Sequence, residues 1–448
     1  MTNTQRFSYA ASDTAGQLVF CVISFYLLKF YTDVYGISAA TAGTILLVAR
    51  CIDALDAPVW GMIFDQTRSR WGKSRPWFLW LCVPFAVFGI LTFLTPNLDG
   101  SAKVIYAAVT YIGCSILYTG INTPVTSILS ALTPDPRERV TLTCFRMFGS
   151  KLGVLFVNLT AFQLVHFFGR GDDRRGFMMV MPIYATSAIL LYLFAFLNLR
   201  EIVVEKTTPP SLLHGFQALH GNWPWLIIFT SSLFFWIAFI ARVSIAPYFF
   251  EYNLQRKNLI GIANSLDFIS LATAFLLPQL CRWTSKRNLW LLGLLGMVAG
   301  QLIIYLGVKQ GFSLPWIMTG WAFGFLASGM AMAMPFSLLS DSVDYGEWKT
   351  GIRAAGLLTA IGAAFCLKAG SGLGGALPAW IMQAHGYIPN VTQTSTSLHG
   401  IEFGFVWLPA LFFMLAAIPV CFYQKYERLE PTIHADLEAR RNATKGSV

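Results

Sequence analysis

The stretch Arg50–Trp77 reads RCIDALDAPVWGMIFDQTRSRWGKSRPW and joins an apolar, helix-forming half to a short basic half. The apolar half carries three charged residues within two helical turns, Arg50, Asp53 and Asp56. Charges inside a membrane span are expensive, and they persist mainly where they pair, line a cavity or bind an ion. The basic half has the positive charge that is typical of a loop held on the cytoplasmic face. The stretch therefore predicts a membrane span with ion-handling carboxylates, followed by a cytoplasmic loop.

The composition of the whole chain also indicates a membrane protein. Of its 448 residues, 55% are hydrophobic and 12% are charged, whereas a soluble domain has about 25% charged residues. The net charge of +10 comes mostly from Lys and Arg between apolar segments, so it indicates topology rather than binding of nucleic acid. The eight cysteines are scattered through apolar stretches without a CxxC pair, and they predict neither a disulfide framework nor a metal site.

Apolar runs long enough to cross a bilayer, about 20 residues each, recur in two sets of six. The first set covers 15–34, 39–63, 76–95, 103–132, 139–168 and 178–198, and the second covers 223–250, 257–281, 288–308, 314–340, 354–384 and 401–424. The predicted organisation is an N-terminal six-helix bundle (1–198), a cytoplasmic connector (199–222), a C-terminal six-helix bundle (223–424) and a cytoplasmic tail (425–448). The tail is polar, and we expect it to fray.

The distribution of positive charge predicts the orientation of these spans. An even number of spans puts both termini on one side, and the loops on that side carry 19 Lys and Arg against 7 on the other. The positive-inside rule then places both termini in the cytoplasm. Basic connectors recur at matching positions in the two halves, which is typical of a transporter built from repeats with a substrate site near the midplane.

Several motifs resemble one known family. They are YTDVYG (Tyr31–Gly36), ARCIDALDAP in the second span, DQTRSRWGKSRPW after it, YTGINTP (Tyr118–Pro124), SDSVDYGEWKTGIRAAG (Ser340–Gly356) and GYIPNVTQT (Gly386–Thr394). The chain resembles the glycoside–pentoside–hexuronide:cation symporters, a branch of the major facilitator superfamily that includes the melibiose carrier. The resemblance extends from the first span to the loop before the last. It implies an all-α polytopic membrane protein with 12 transmembrane helices in two six-helix bundles that work by alternating access.

The second span departs from the family pattern R-x-x-D-A-x-x-D-P, whose two aspartates form the cation site. Asp53 matches the first aspartate, but Ala57 stands at the second position and Asp56 comes one residue early. An i+3 partner lies on a different side of the helix from an i+4 partner. Loss of one carboxylate weakens a sodium site most, since a hard cation wants several oxygen ligands. A single buried carboxylate still carries a proton, so we favour H+ over Na+ as the coupling ion.

The substrate positions also depart from the melibiose carrier. Its sugar-binding carboxylates on the first and fourth helices align with Gln17 and Asn122, which are neutral amides. The family's cations remain as Arg146 and Lys368, and Arg242 adds another. Arginine pairs well with carboxylate or sulfonate groups, so this charge balance favours an anionic sugar such as a hexuronide, a glucuronide or a sulfonated sugar. A Na+-coupled or uncoupled carrier of a neutral glycoside or pentoside is the alternative.

The candidate site residues therefore fall into two groups, each with a structural alternative. We predict cation coupling by Asp53 and Asp56, and substrate binding by Gln17, Asp13, Tyr118, Asn122, Arg146, Arg242 and Lys368. Asp53 alternatively forms a buried salt bridge with Arg50, Arg146 or Lys368. Asp13 alternatively caps its helix. The amides and Tyr118 alternatively make hydrogen bonds between helices, which are common in membranes. Arg242 alternatively belongs to a gate or extends toward the interface.

Other functional classes find less support in the sequence. No HExxH pair or GxSxG elbow is present, so we expect no enzyme. A channel would give flux without accumulation, and the short tail argues against a sensor on a transporter fold, so we expect solute transport. We expect the chain to act without a cofactor apart from its coupling ion, as a monomer in a bacterial-type inner membrane, with a sugar, a cation and the lipid bilayer as its partners.

Overall fold

The computed structural model describes residues 2–67, 69–133, 136–201, 221–351, 358 and 360–445. Within these residues all the regular secondary structure is helical. Ten helices in this part of the chain are long and apolar enough to cross a membrane. Two more long helices occupy the positions of the second and eleventh predicted spans. The predicted all-α fold with 12 transmembrane helices is thereby confirmed.

The first half of the chain supplies six of these helices. They are α1 (Asn3–Val34), α2 (Ala39–Gln66), α3 (Arg75–Thr92), α4 (Gly100–Leu132), α5 (Pro136–Gly169) and α6 (Asp173–Asn198). The second half supplies α7 (Trp223–Asn253), α8 (Leu259–Leu280), α9 (Lys286–Lys309), α10 (Leu314–Thr350), α11 (Ala360–Ala384) and α12 (Ser395–Phe422). A further helix, α13 (Gln424–Lys445), follows them.

Two helices at equivalent positions in the two halves end alike. The last turn of α1, Phe30–Val34, and the last turn of α7, Phe249–Asn253, are both π-helical. Each of these turns carries one acidic residue, Asp33 in α1 and Glu251 in α7. A π turn rotates the side chains that follow it relative to the preceding helix, and such turns are frequent at functional sites.

Some helix ends lie well outside the predicted apolar runs. The first helix begins at Asn3 rather than near residue 15, because Thr2 and Gln5 form a capping box with bonds of 3.0 and 3.3 Å. Helix α10 continues to Thr350, ten residues beyond the predicted end. Hydropathy detects only the apolar part of a helix, whereas caps and polar turns extend it into the interface.

The contacts between Cα atoms group the chain into two compact units. Unit 1 comprises Met1–Thr207, Val243–Ser265 and Gly375–Glu402, and unit 2 comprises Thr208–Arg242, Leu266–Gly374 and Phe403–Val448. The end of α7, the start of α8, the end of α11 and the start of α12 thus pack with α1–α6 in unit 1. The predicted N-terminal and C-terminal bundles divide the chain by sequence order, whereas the two units group it by contacts. The division into bundles therefore stays a prediction.

The residues at the two ends of the predicted connector make hydrogen bonds to the starts of helices. Residues 202–220 of the connector lie outside the described residues. The carboxylate of Glu201 accepts hydrogen bonds from the backbone N–H groups of Lys73, Ser74 and Arg75 at 2.7–2.8 Å. These N–H groups belong to the start of α3, where a negative charge is stabilising. Asn222 caps α7 in a similar way through the N–H of Trp225, at 3.1 Å.

The tail is helical and packed, so the expectation that it frays is wrong. Tyr426, Ile433 and Leu437 of α13 are buried, and their spacing puts them on one helical face. The Tyr426 hydroxyl donates to the carbonyl of Asp341 at 2.8 Å, while the Trp348 indole donates to Asp436 at 2.8 Å. The mean hydropathy of this segment is low because only three side chains form its buried face, so hydropathy alone did not predict the helix.

Helices α9 and α10 of unit 2 approach one another through glycines. A Cβ added at Gly300 would lie 2.8 Å from the carbonyl oxygen of Gly320 and 3.0 Å from the backbone nitrogen of Gly324. Small residues that let helix backbones meet are the usual means of close packing in membranes. Because both neighbours are backbone atoms, they have little freedom to move aside.

We therefore expect Gly300→Leu to destabilise unit 2 strongly. Overpacking a close contact costs about 1–3 kcal/mol, and more where backbone must shift. Thermal unfolding in detergent should show a markedly lower Tm and a smaller folded yield. Leu302→Phe, which adds volume at an exposed position on the same helix, is the matched control and should leave the Tm unchanged. Equal melting temperatures for both variants would contradict the close packing.

Candidate functional site

The middle of α2 holds a buried ion pair. Nη1 of Arg50 donates to Oδ2 of Asp53 at 3.0 Å, and the Asp53 side chain is only 2% exposed. The two residues stand three apart in sequence, so one helical face presents both. The Ser115 hydroxyl of α4 donates to the same Asp53 oxygen at 2.6 Å. The carboxylate predicted for cation coupling is therefore desolvated and held by two donors.

Asp56, the other predicted coupling residue, lies one turn further along α2. It is half-buried, and it is engaged in interactions of its own. Asp56 follows Asp53 by three residues, whereas the second aspartate of the family pattern follows the first by four. Its role in binding a cation remains a prediction.

An aromatic stack connects the ion pair to Tyr118. The Arg50 guanidinium lies 5.3 Å from the ring centroid of Phe20 on α1. Phe20 in turn stacks on Tyr118 of α4, with centroids 4.4 Å apart and ring planes inclined by 8°. Flat aromatic surfaces of this kind offer an apolar face and, at Tyr118, a hydroxyl. Tyr118, predicted to bind substrate, thus lies one ring away from the charged pair.

A second ion pair joins α1 to α5. Nε of Arg146 lies 3.6 Å from Oδ2 of Asp13, and the two side chains are 27% and 13% exposed. Both residues were predicted to contact substrate, and the structure brings them together. The local alternative for Asp13, capping of a helix N-terminus, does not apply, because α1 begins ten residues earlier at Asn3.

The two predicted amides stand near these pairs along the chain. Gln17 is half-buried on α1, one turn after Asp13, and Asn122 is half-buried on α4, one turn after Tyr118. Helical periodicity places residues four apart on nearly the same face. Gln17 therefore shares a helix face with Asp13 of the second ion pair, and Asn122 shares one with Tyr118 of the aromatic stack.

The charges that lie near the two ion pairs along α1, α2 and α5 balance among the described side chains. The cations are Arg50, Arg146 and Lys151, and the carboxylates are Asp13, Asp53 and Asp56. The sequence predicted an excess of positive charge, because neutral amides replace two family carboxylates while several cations remain. Around these two pairs, three cations therefore accompany three carboxylates.

The other two predicted substrate residues belong to unit 2. Arg242 of α7 is 1% exposed, and its Nη2 donates to the carbonyl of Trp321 at 2.8 Å. The guanidinium carbon lies 4.0 Å from the Trp321 ring and 4.7 Å from the Phe325 ring, both of α10. Arg242 thus packs against α10 here, and its contact with substrate remains a prediction. Lys368 is half-buried on α11 and has interactions of its own.

Sequence reasoning missed two contributors to the site. Ser115 precedes Tyr118 by three residues, so a search for hydroxyl groups on the Tyr118 face of α4 would have found it. Phe20 follows Gln17 by three residues on α1, but phenylalanine is too common in this chain, with 37 residues, to attract attention. Its position between Arg50 and Tyr118 depends on tertiary packing.

Charged residues buried in the spans of an all-helical membrane protein often mark the path of a solute or an ion, and such residues are typical of solute carriers. Comparison with known proteins gives the family. A sequence model of the MFS/sugar transport protein family matches residues 8–426. The chain therefore belongs to the MFS/sugar transport family of the major facilitator superfamily, and it is a transporter rather than an enzyme.

Individual relatives agree with this assignment. The chain is 41% identical over 441 residues to the isoprimeverose transporter of Lactiplantibacillus pentosus, covering 98% of this chain and 91% of the relative. It is 31% identical to the glucuronide carrier protein homolog of Escherichia coli K12, with 97% and 95% covered. Among solved structures, a bacterial homolog of the human lysosomal transporter Spinster matches with a TM-score of 0.71 at 13% identity, covering 97% and 99% of the two chains.

Proposed function

We propose that this transporter imports a sugar or glycoside by symport with H+, by alternating access, and that Asp53 is the coupling carboxylate. The observation that carries the proposal is the buried Arg50–Asp53 pair with its Ser115 donor. We place the protein in a bacterial cytoplasmic membrane with both termini in the cytoplasm, following the 19 to 7 distribution of Lys and Arg between its two sides.

Proton binding at Asp53 would change the pair in a definite way. A proton on the carboxylate removes the negative charge that holds the Arg50 guanidinium at 3.0 Å. Arg50 then becomes a buried, uncompensated cation, which is strongly unfavourable until it finds another partner or another conformation. One carboxylate suffices for this exchange, whereas Na+ requires several oxygen ligands in a close shell.

We propose a neutral glycoside as the substrate. The pairing of these two cations supports this, because Arg146 is already paired with Asp13 and Arg50 with Asp53. Amide groups such as those of Gln17 and Asn122 both donate to and accept from sugar hydroxyls. The relative with 41% identity is named as an isoprimeverose transporter. This proposal adopts the neutral substrate that the sequence left as the alternative.

An acidic glycoside is the second candidate. Arg242 and Lys368 in unit 2 are cations that the sequence predicted to contact substrate, and a relative with 31% identity is named as a glucuronide carrier homolog. Arginine binds carboxylates in a bidentate manner. The two candidates differ in the charge of the transported sugar, so they are separable by direct measurement.

Uptake into proteoliposomes tests both the coupling ion and the substrate. Labelled isoprimeverose and a labelled glucuronide are each offered under an imposed H+ gradient, an imposed Na+ gradient or no gradient. We expect accumulation of isoprimeverose that depends on the H+ gradient and collapses with a protonophore. Accumulation driven by Na+ alone would contradict the coupling proposal, and accumulation of only the glucuronide would contradict the neutral substrate.

A further inference from the structure

A second polar cluster lies in unit 1, apart from Asp53, where α1 and α7 end in their π turns. Its side chains come from α1, from α7 and from the loop after α11. We name it the Lys29 cluster; it consists of Lys29, Asp33, Tyr248, Glu251, Tyr252 and Tyr387. The side chains of Lys29 and Asp33 are 7% and 4% exposed, so two opposite charges are buried here.

The Asp33 carboxylate is saturated with donors. Its Oδ2 accepts from Lys29 at 3.0 Å and from the Tyr252 hydroxyl at 2.9 Å. Its Oδ1 accepts from the Tyr387 hydroxyl at 2.6 Å and from Thr32 at 2.7 Å. Burial raises the pKa of Tyr387, so that hydroxyl stays protonated and donates. Hydrogen bonds to a charged acceptor are roughly twice as strong as neutral ones, so Asp33 joins three segments of the chain.

The Lys29 ammonium is equally well surrounded. It forms ion pairs with Asp33 and with Glu251. It also lies 5.3 Å from the ring centroids of both Tyr248 and Tyr252, which places two aromatic faces beside a cation. Carboxylates from the two equivalent π turns thus share one lysine between them.

The charges continue outward from Glu251. Lys257, in the loop after α7, lies 3.8 Å from Glu251 and 2.5 Å from Asp173 at the start of α6. The cluster and its extension therefore alternate in sign from α1 to α7 to α6.

We propose that the Lys29 cluster is a latch that closes the end of α1 against α7 and the loop after α11, and that it separates once in each transport cycle to admit substrate. The latch rests on the transport function proposed above. Its groups are polar, so entering water can solvate each of them when the segments part. A buried ion pair contributes little net stability, which suits a contact that must open repeatedly. Loss of one charged partner, in contrast, would leave a buried charge uncompensated.

The seam between α2 and α11 offers a reporter for this latch. Ala379 is fully buried, and a Cβ placed at Gly43 would lie 2.8 Å from its Cβ. Ala379 precedes Tyr387 by eight residues, so release of Tyr387 from Asp33 frees the end of α11. A cysteine at position 379 should then react faster with a thiol reagent. Ile388, which is 59% exposed, marks a position that is always accessible.

The experiment measures alkylation of A379C by a maleimide, in purified protein whose eight native cysteines are replaced by alanine. Asp33→Asn and Glu251→Gln should each raise the alkylation rate by about tenfold or more, because each leaves Lys29 short of a partner. Asp99→Asn, at an exposed site in the α3–α4 loop, is the matched control and should leave the rate unchanged. The I388C variant should react equally fast in every background.

Two further variants separate opening of the latch from general unfolding. Tyr387→Phe removes one hydrogen bond without changing charge, and it should raise the rate by a smaller factor. The double variant Lys29→Met/Asp33→Asn buries no unpaired lysine and should fall between wild type and Asp33→Asn. Unchanged alkylation in Asp33→Asn and Glu251→Gln, or a double variant more reactive than both singles, would overturn the latch. If the rates respond as expected but no sugar is transported, the latch stands and the proposed function fails.

Discussion

Asp53→Asn should abolish accumulation of sugar against a gradient. For one H+ per sugar, an imposed gradient of one pH unit supplies about 1.4 kcal/mol, a factor of about ten in concentration. Wild-type vesicles should therefore approach tenfold accumulation, and Asp53→Asn vesicles should stop at equal concentrations. The amide keeps the shape of the side chain, and it still accepts from Arg50 and Ser115, but it binds no proton in this pH range.

The controls for this prediction separate coupling from binding. Exchange of labelled for unlabelled sugar at equilibrium needs no proton movement, so it should persist in Asp53→Asn. Asp99→Asn, the exposed control, should accumulate sugar as wild type does. Full accumulation by Asp53→Asn would place the coupling carboxylate elsewhere, and Asp56→Asn would then be the next variant to measure.

Asp13→Asn should shift the transporter toward acidic sugars. The wild-type pair of Asp13 and Arg146, 3.6 Å apart, leaves little net charge for a substrate to sense. With the carboxylate neutralised, Arg146 becomes available to a negatively charged ligand. We expect the ratio of glucuronide to isoprimeverose uptake to rise about tenfold, which corresponds to about 1.4 kcal/mol. Competition between the two labelled sugars at equal concentration measures this ratio.

A double variant provides the control for the charge argument. Asp13→Asn combined with Arg146→Gln removes both charges, so the preference should return toward that of wild type. A ratio that stays constant in both variants would show that the pair does not face the substrate. The Asp13–Arg146 pair would then be a feature of folding alone.

The spans were predictable because the bilayer imposes one requirement on each of them. About 20 apolar residues must cross the hydrocarbon core with all their backbone groups paired, and hydropathy reads that requirement directly. The helix ends were less predictable. The capping box at Thr2 and Gln5 is a local polar device, and the apolar stripe of α13 is too narrow to raise the mean hydropathy of the tail.

The site was predictable only where its contacts are local. Arg50 and Asp53 stand three residues apart, so pairing between them was already among the structural alternatives. Asp13 and Arg146 were both named as candidates, but their mutual contact joins residues 133 positions apart (146 minus 13). The neighbours of Arg242 were the hardest to predict from the sequence, because Trp321 and Phe325 belong to another helix.

The long-range closure of the Lys29 cluster has a consequence for biosynthesis. Tyr387 lies 354 residues after Asp33, the residue to which it donates. During translation the chain grows from its N-terminus, so α1 enters the membrane long before its partners from α7 and α11 exist. Lys29 and Asp33, four residues apart on one helix, neutralise each other from the start. The pair thus lets the nascent first helix insert with its buried charges already matched, well before the rest of the cluster is synthesised.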